Sequence, residues 1–116
     1  MDAMVEMRAI VRIEMLDRTV RMLKDSGCPR LTVTSVHAIG AGMDPKSPKY
    51  GFEEGSAYVD KAMVQFICSS ERCEMFSELL VRAARTGNRG DGIVSIHPVI
   101  NVTKIRTGVD GLAALQ

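Results

Sequence analysis

The sequence lacks the features that mark several specialised classes of protein. Its 116 residues carry a net charge of only +1, which argues against nucleic-acid binding and against attraction to acidic membranes. No apolar run approaches the roughly 20 residues that span a bilayer, so we expect no membrane insertion. Arg8 and Arg12 interrupt the apolar stretch that a signal peptide would need. We therefore expect a cytoplasmic protein of one domain.

Aromatic residues, cysteine and histidine are also scarce. Aromatic residues make up 4% of the chain, and we expect the eight methionines to fill core gaps instead. Cys28, Cys68 and Cys73 are odd in number and include no CxxC pair, which argues against a disulfide framework and a zinc site. The only histidines, His37 and His97, are interpreted as structural or surface residues. We expect no metal site and no catalytic residue.

The spacing of apolar residues predicts two strand–helix–strand units. Strands are predicted over residues 7–13, 31–39, 62–68 and 93–98. One helix carries Leu16, Val20 and Leu23 and ends at Gly27; the other carries Phe76, Leu79, Leu80 and Ala83, with Ser69 or Ser70 as its cap, and ends at Gly87. Two such units with right-handed crossovers predict an α+β, ferredoxin-like double βαβ fold, with both helices on one face of an antiparallel sheet.

The alternation in the strands predicts which side chains are buried. Met7, Ala9, Val11 and Ile13 fall on one face of the first strand, and Arg8 and Arg12 fall on the other. Two helices leave the second face of the sheet without a cover. Val64 and Phe66, or their neighbours Met63 and Ile67, would be exposed there, and an apolar face of this size predicts an association surface.

Periodicity disappears between Gly40 and about Asp60. The segment contains four glycines and two prolines, and a loop of about 20 residues is unusual in so small a domain. We predict a mobile loop over residues 41–60, with a functional role and a tolerated surface insertion as the two interpretations. At the other end of the chain, residues 101–116 are expected to form a short strand or extended arm and a tail that little holds in place.

A glycine-rich turn precedes the last predicted strand. Gly87, Gly90 and Gly92 would let backbone N–H groups converge on an anion over residues 86–93. Lys104 and Arg106 lie two residues apart, which on a strand puts both cations on one face. The pattern is that of a phosphate site. The alternative is a loop followed by a solvated strand face, since short glycine motifs carry little information.

Several motifs resemble those of the P-II nitrogen-regulatory signal proteins. They are Thr86-Gly87, Gly90-Asp91-Gly92, Pro98-Val99 and Ile105-Arg106-Thr107-Gly108, with Arg8-Ala9-Ile10-Val11-Arg12 and Leu31-Thr32-Val33-Thr34 nearer the N-terminus. The similarity covers nearly the whole chain, residues 1–116. It implies a homotrimer whose sheets face inward, a loop at 41–60 that contacts a target transporter or enzyme, and an adenine nucleotide (ADP, AMP or ATP) at the clefts between subunits.

The resemblance also implies which residues bind ligand. The nucleotide set is Thr32, Gly40, Gly90, Asp91, Gly92, Lys104 and Arg106, and the small-anion set is Gly42 and Lys61. Thr32 would face the adenine. Lys104 replaces an arginine of the family, which keeps the charge and loses the bidentate geometry. Asp91 has a second interpretation from its own chemistry, as a turn former that accepts hydrogen bonds from nearby backbone.

Four further positions depart from the family pattern. Ile93 replaces a phosphate-binding lysine and Ala41 a loop-base arginine, so we expect ADP or AMP to compete well with ATP. Gly42 replaces a glutamine that helps bind Mg-ATP and 2-oxoglutarate, which makes bicarbonate the candidate co-effector, as in carboxysome-associated P-II-like proteins. Glu54 replaces the tyrosine that many relatives uridylylate, so we expect no such modification.

These observations leave several functions open. The first is a nucleotide-sensing regulator, possessing either the bicarbonate response or the ordinary response to ATP and 2-oxoglutarate. The second is a slow nucleotide-hydrolysing enzyme, which the lack of a general base disfavours. The third is a trimeric scaffold without a ligand, which the Gly90-Asp91-Gly92 turn disfavours.

Overall fold

The structure is a computed structural model that describes residues 3–28, 30–39, 49–50 and 57–116. Its strands are β1 (Met4–Arg12), β2 (Thr32–Ala38), β3 (Lys49–Tyr50), β4 (Ala57–Ser69) and β5 (Gly92–Val99), and its helices are α1 (Leu16–Asp25) and α2 (Cys73–Ala84). The main sheet has the order β2-β4-β1-β5, and every pairing is antiparallel. β3 pairs with the start of β4. The predicted double βαβ fold is confirmed.

The core lies between the helices and one face of the sheet. Met7, Ala9 and Val11 of β1 are buried there, as their alternation predicted. Phe66 and Phe76 meet edge to face across the interface between sheet and helix, with ring centroids 5.0 Å apart. The prediction for Ile13 was wrong. The chain leaves the sheet after Arg12 and enters a 3-10 turn, which leaves Ile13 46% exposed.

The ends of the helices follow the sequence in part. α1 ends at Asp25, and the N–H groups of Gly27 and Cys28 then bond to the carbonyls of Lys24 and Leu23, so Gly27, with φ +88°, terminates the helix as predicted. The predicted serine cap of α2 was wrong. A 3-10 turn over Ser70–Arg72 intervenes, and neither this turn nor α2 has a side-chain cap. α2 ends at Ala84, three residues before Gly87.

The described residues also correct the bounds of the predicted loop. β4 begins at Ala57, so Asp60 lies in a strand, and β3 pairs Lys49 with Tyr58 and Tyr50 with Ala57. β4 thus begins five residues before the predicted start at residue 62, with residues 59–61 paired to β2 and Ala57 and Tyr58 paired to β3. Residues 40–48 and 51–56, with Gly40 and Gly42 among them, lie outside the described residues.

The C-terminal part differs most from the sequence prediction. Instead of a strand, residues 103–110 form a tight turn, closed by bonds from Gly108 N to the Lys104 carbonyl and from Lys104 N to the Val109 carbonyl. Residues Gly111–Leu115 then form a 3-10 helix. The tail is well anchored, because Ala114 is fully buried and Arg30 donates one hydrogen bond to the Ala114 carbonyl and one to the Gln116 oxygen.

The second face of the sheet carries an apolar row that no described helix covers. Val64 and Phe66 face the helices, so Met63 and Ile67 lie on the second face. The register aligns Met63 with Ile10, and Ile10 with Ile93. Ile93 is 66% exposed. The row is therefore an apolar surface available for association.

Gly92 is the glycine whose replacement we expect to be most damaging. It begins β5 with φ +105°, and a Cβ atom there would lie 1.7 Å from the Ile10 carbonyl oxygen. We predict that Gly92→Ala lowers the free energy of unfolding by about 3 kcal/mol, because positive φ and the backbone clash add. Gly108→Ala is the matched control, since Gly108 has φ +73° and open space around it. It should cost only about 1–2 kcal/mol. Equal costs in urea denaturation would contradict the prediction.

Candidate functional site

The Asp91 carboxylate organises the glycine-rich turn. Its Oδ2 atom accepts the backbone N–H groups of Thr86 and Gly87, each at 2.9 Å. Its Oδ1 atom accepts the Thr86 hydroxyl and, at 2.8 Å, Nε of Arg12. The interpretation of Asp91 as a turn former is confirmed, and its two oxygens close residues 86–91 into one loop.

Two buried cations attach this loop to the sheet. Arg12 donates from Nη2 to the Arg89 carbonyl at 2.7 Å, and the Lys61 ammonium donates to the Gly90 carbonyl. Arg12, the last residue of β1, is the register partner of Lys61 in β4, and Lys61 is only 3% exposed. The pairing of the two strands therefore brings both cations under the turn.

The same contacts control the charge of Asp91. Partial burial alone would raise its pKa, but hydrogen bonds from Thr86, Arg12 and Gly87 outweigh that effect and hold the pKa well below the usual range of an aspartate. The carboxylate is thus ionised at neutral pH. An ionised, fully engaged carboxylate is unsuited to donate a proton in catalysis.

A cleft of about 470 Å³ opens beside the contacts that Arg12 and Lys61 make with the turn. Arg12 and Lys61 line it together with His37 and Asp60, whose side chains lie 3.3 Å apart. The His37 ring stacks on Tyr58 at 4.2 Å between centroids. His37 belongs to the end of β2, and Tyr58 and Asp60 belong to the start of β4. The cleft therefore lies beside the two strand ends that come before and after residues 40–56 in the chain.

The predicted nucleotide residues that the structure describes fall into two separate groups. Gly90, Asp91 and Gly92 lie together at the β5 edge, beside Lys61. Thr32 lies on β2, at the opposite edge of the main sheet. From the register, Thr32 and Gly92 are about 10 Å apart along the strands and about 14 Å apart across them. Within one chain Thr32 is therefore remote from Gly92.

Lys104 and Arg106 do not share a strand face, so that expectation was wrong. Both belong to the tight turn, which points their side chains independently. The Lys104 ammonium donates to the Gln116 backbone oxygen at 2.7 Å, and Arg30 donates to the same oxygen. This places Lys104 on the Thr32 side of the sheet. Arg106 is exposed and has no hydrogen bond or ion pair to the residues that the structure describes.

Sequence reasoning missed the contribution of Arg12. Its alternation put it on the face opposite the core, which suggested an exposed side chain. Its burial comes from the turn that folds over it, 77 to 79 residues later in the chain. The only sequence signal was its position at the predicted end of the strand.

The chain matches the family model "Nitrogen regulatory protein P-II" over residues 4–109. It belongs to the P-II family. It is 31% identical over 112 residues to nitrogen regulatory protein P-II 2 of Methanothermobacter thermautotrophicus, with 97% of each chain covered. It is 32% identical to the P-II protein of Synechocystis, covering 90% of this chain and 94% of that one.

A solved structure supports the same assignment. The P-II protein of Arabidopsis thaliana, determined bound to citrate, is similar with a TM-score of 0.79 at 26% identity. The similarity covers 97% of this chain and 92% of that protein. The resemblance inferred from the motifs is therefore confirmed, and the family is one of regulatory signal proteins. No helix among the described residues is long and apolar enough to cross a membrane.

Asp91 should make the stability of this P-II protein depend on acid pH. Its folded pKa lies below its unfolded value, so its contribution is complete above about pH 4 and is lost as the pH falls towards the folded pKa. We predict that the unfolding free energy of the native chain falls below about pH 4, and that Asp91→Asn shows a smaller fall. Asp25→Asn, at the exposed end of α1, is the control. Parallel pH profiles for the native chain and Asp91→Asn would contradict this.

Proposed function

We propose that this P-II protein is a homotrimeric signal protein that binds an adenine nucleotide between adjacent subunits. Its loop within residues 41–60 would report the bound nucleotide to a target transporter or enzyme. The observation that carries the proposal is the separation of the candidate residues between two edges of the sheet. The Gly90–Gly92 turn lies at one edge, and Thr32 and Lys104 lie at the other.

A cyclic assembly would reunite the two groups. If the β5 edge of one subunit adjoins the β2 edge of the next, each cleft receives a glycine turn from one chain and Thr32 with its nearby cations from its neighbour. Such head-to-tail contacts close into rings when the rotation allows it. The apolar row of Ile10, Met63 and Ile93 supports this arrangement, because association would remove it from water.

The cations of the chain favour a nucleotide with few phosphates. Arg106 is exposed and has no hydrogen-bond or ion-pair partner among the described residues, so its guanidinium is accessible to a phosphate. Ile93 stands where the family resemblance expects a phosphate-binding lysine, and Ala41 where it expects an arginine. With fewer cations for the outer phosphates, ADP and AMP would compete well with ATP.

The anchor under the turn offers a route from nucleotide to loop. Lys61 holds the Gly90 carbonyl and lies four residues after the start of β4, whereas Arg12 holds Asp91 and Arg89 from β1. A ligand that shifts the turn would therefore also shift the start of β4, which follows residues 40–56 in the chain. If two arrangements of this strand end differ in nucleotide affinity, the nucleotide selects between them.

The proposed co-effector is a small anion, with bicarbonate as the leading candidate. Arg12 and Lys61 line the cleft at the loop base, beside the carboxylates of Glu14 and Asp60, and would supply the positive charge for an anion. The Arabidopsis relative bound to citrate is consistent with anion binding in the family. Gly42, whose resemblance-based role favours bicarbonate over 2-oxoglutarate, lies outside the described residues. The ordinary response to 2-oxoglutarate is the second candidate, favoured by relatives that are named nitrogen regulatory proteins.

Calorimetry with AMP, ADP and ATP tests the nucleotide site. Arg106→Ala should weaken binding by about 1.5–3 kcal/mol, the scale of one charge-assisted contact. Ile93→Lys, at the exposed end of the apolar row, should raise the preference for ATP over AMP once sedimentation has shown that the variant still associates, and Ile93→Met is its uncharged control. Unchanged affinities for Arg106→Ala and an unchanged AMP-to-ATP ratio for Ile93→Lys would reject this site. Repeating the titrations with bicarbonate and with 2-oxoglutarate identifies the co-effector, because linkage requires reciprocal tightening.

The trimer has a test of its own. Sedimentation of the native chain should give a mass three times that of the 12.7 kDa subunit at micromolar concentration. Met63→Glu, which places a charge in the apolar row, should shift the distribution towards monomer, because burying an unpaired charge is costly. Glu78→Gln, on the exposed side of α2, serves as the control. A stable native monomer would reject the shared site.

A further inference from the structure

Away from the turn, two cationic side chains converge on one oxygen atom. Arg30 donates from Nη2 to the Gln116 backbone oxygen at 3.1 Å, and Lys104 donates from Nζ to the same oxygen at 2.7 Å. Arg30 also donates from Nη1 to the Ala114 carbonyl at 3.3 Å. The fold thus builds a pair of cations around an oxygen, and residues 111–116 supply that oxygen.

The segment that occupies the pair borders the proposed nucleotide position. Leu115 lines a cavity of about 200 Å³ together with Arg30, Thr32 and Gln65. Ala114 is fully buried, so the segment is packed against the chain rather than merely near it. A ligand that contacts both Thr32 and Lys104 would meet this segment.

We propose that Arg30 and Lys104 form an anion-binding pair for a nucleotide phosphate, and that residues 111–116 compete with the phosphate for it. The inference rests on the proposed function, because it takes the nucleotide as the anion. It adds Arg30, which the family resemblance does not assign, and it makes the C-terminal segment an inhibitory element of the same site.

Electrostatics gives the phosphate the advantage for this pair. The Ala114 carbonyl is neutral, and a nucleotide phosphate carries more negative charge than either oxygen acceptor of the segment, so its hydrogen bonds to the two cations are the stronger ones. The arginine fork also matches two phosphate oxygens, while here it holds two separate carbonyls. The oxygens of the segment compete because they are attached to the chain and because displacing the segment would expose the buried Ala114. Nucleotide binding and release of the segment are therefore coupled.

Removing the segment should tighten nucleotide binding. Truncation after Asp110 keeps the turn before it, because the Thr103 hydroxyl bonds to the Asp110 carboxylate at 2.6 Å. Affinity for AMP and ADP should rise about three- to tenfold, because the competing segment is held by a free energy of about one hydrogen bond. Ala114→Asp in the full chain should act in the same direction, since it places a charge in a fully buried position.

A second substitution separates binding the phosphate from holding the tail. In the truncated chain Arg30 has no tail to hold, so Arg30→Ala should lower the affinity several-fold only if Arg30 binds the phosphate. Arg21→Ala, which removes an exposed arginine of α1, is the matched control and should change nothing.

The cysteines provide a readout in the native chain. Cys28 and Cys68 line a cavity of about 410 Å³ whose other walls include Leu112, Leu115 and Gln116. Burial, assisted by the neighbouring thiols, raises the pKa of Cys68 to about 11, which slows its reaction with an alkylating reagent. If nucleotide displaces the segment, AMP or ADP should accelerate alkylation of these cysteines, as followed by mass spectrometry.

The outcomes distinguish this inference from the proposed function. If neither the full nor the truncated chain binds a nucleotide, the proposed function fails. If both bind with equal affinity, or if truncation weakens binding, the competition is wrong and the nucleotide site survives. If Arg30→Ala has no effect in the truncated chain, Arg30 only holds the tail. Should both tail variants fail to fold, an alkylation rate in the native chain that nucleotide does not change overturns the competition.

Discussion

The contact between the Arg12 guanidinium and the Asp91 carboxylate is the constraint on which the candidate site depends. It joins the end of β1 to a turn 79 residues away and is reinforced by Lys61 on the neighbouring strand. A glycine-rich segment would otherwise retain many backbone conformations. With both Asp91 oxygens engaged, the turn has fewer conformations and is tied to the sheet, so a shift of the turn is passed to Arg12. The charge of Asp91 is thereby committed to structure and is unsuited to proton transfer.

The two edges of the sheet carry different parts of the candidate site. The β5 edge presents a preformed backbone turn, whereas the β2 edge presents side chains, namely Thr32, Arg30 and Lys104. In the proposed trimer a neighbouring copy brings the two together, so ligand binding and assembly depend on the same surfaces. Ligand at such a cleft would stabilise the assembly, because it binds the associated state and not the separate chains.

The C-terminal segment shows how weakly patterned sequence can acquire a fixed position. Residues 111–116 have no long apolar run, and their local sequence predicted little order. Their order arises from one buried alanine and from cations supplied by residues 30 and 104. Such a segment is held by a few contacts, so the free energy needed to displace it is small compared with that of the core.

The sequence by itself determined the fold class, the two helices, the four strands of the main sheet and the family, because these depend on local periodicity and on motifs that are contiguous in the chain. It also predicted the turn-forming role of Asp91, whose partners Thr86 and Gly87 are near neighbours. Only the tertiary structure decided that Arg12 is buried, that Lys104 faces the tail and that Thr32 is remote from Gly92. Those facts depend on strand register and on contacts between distant parts of the chain, which no local pattern encodes.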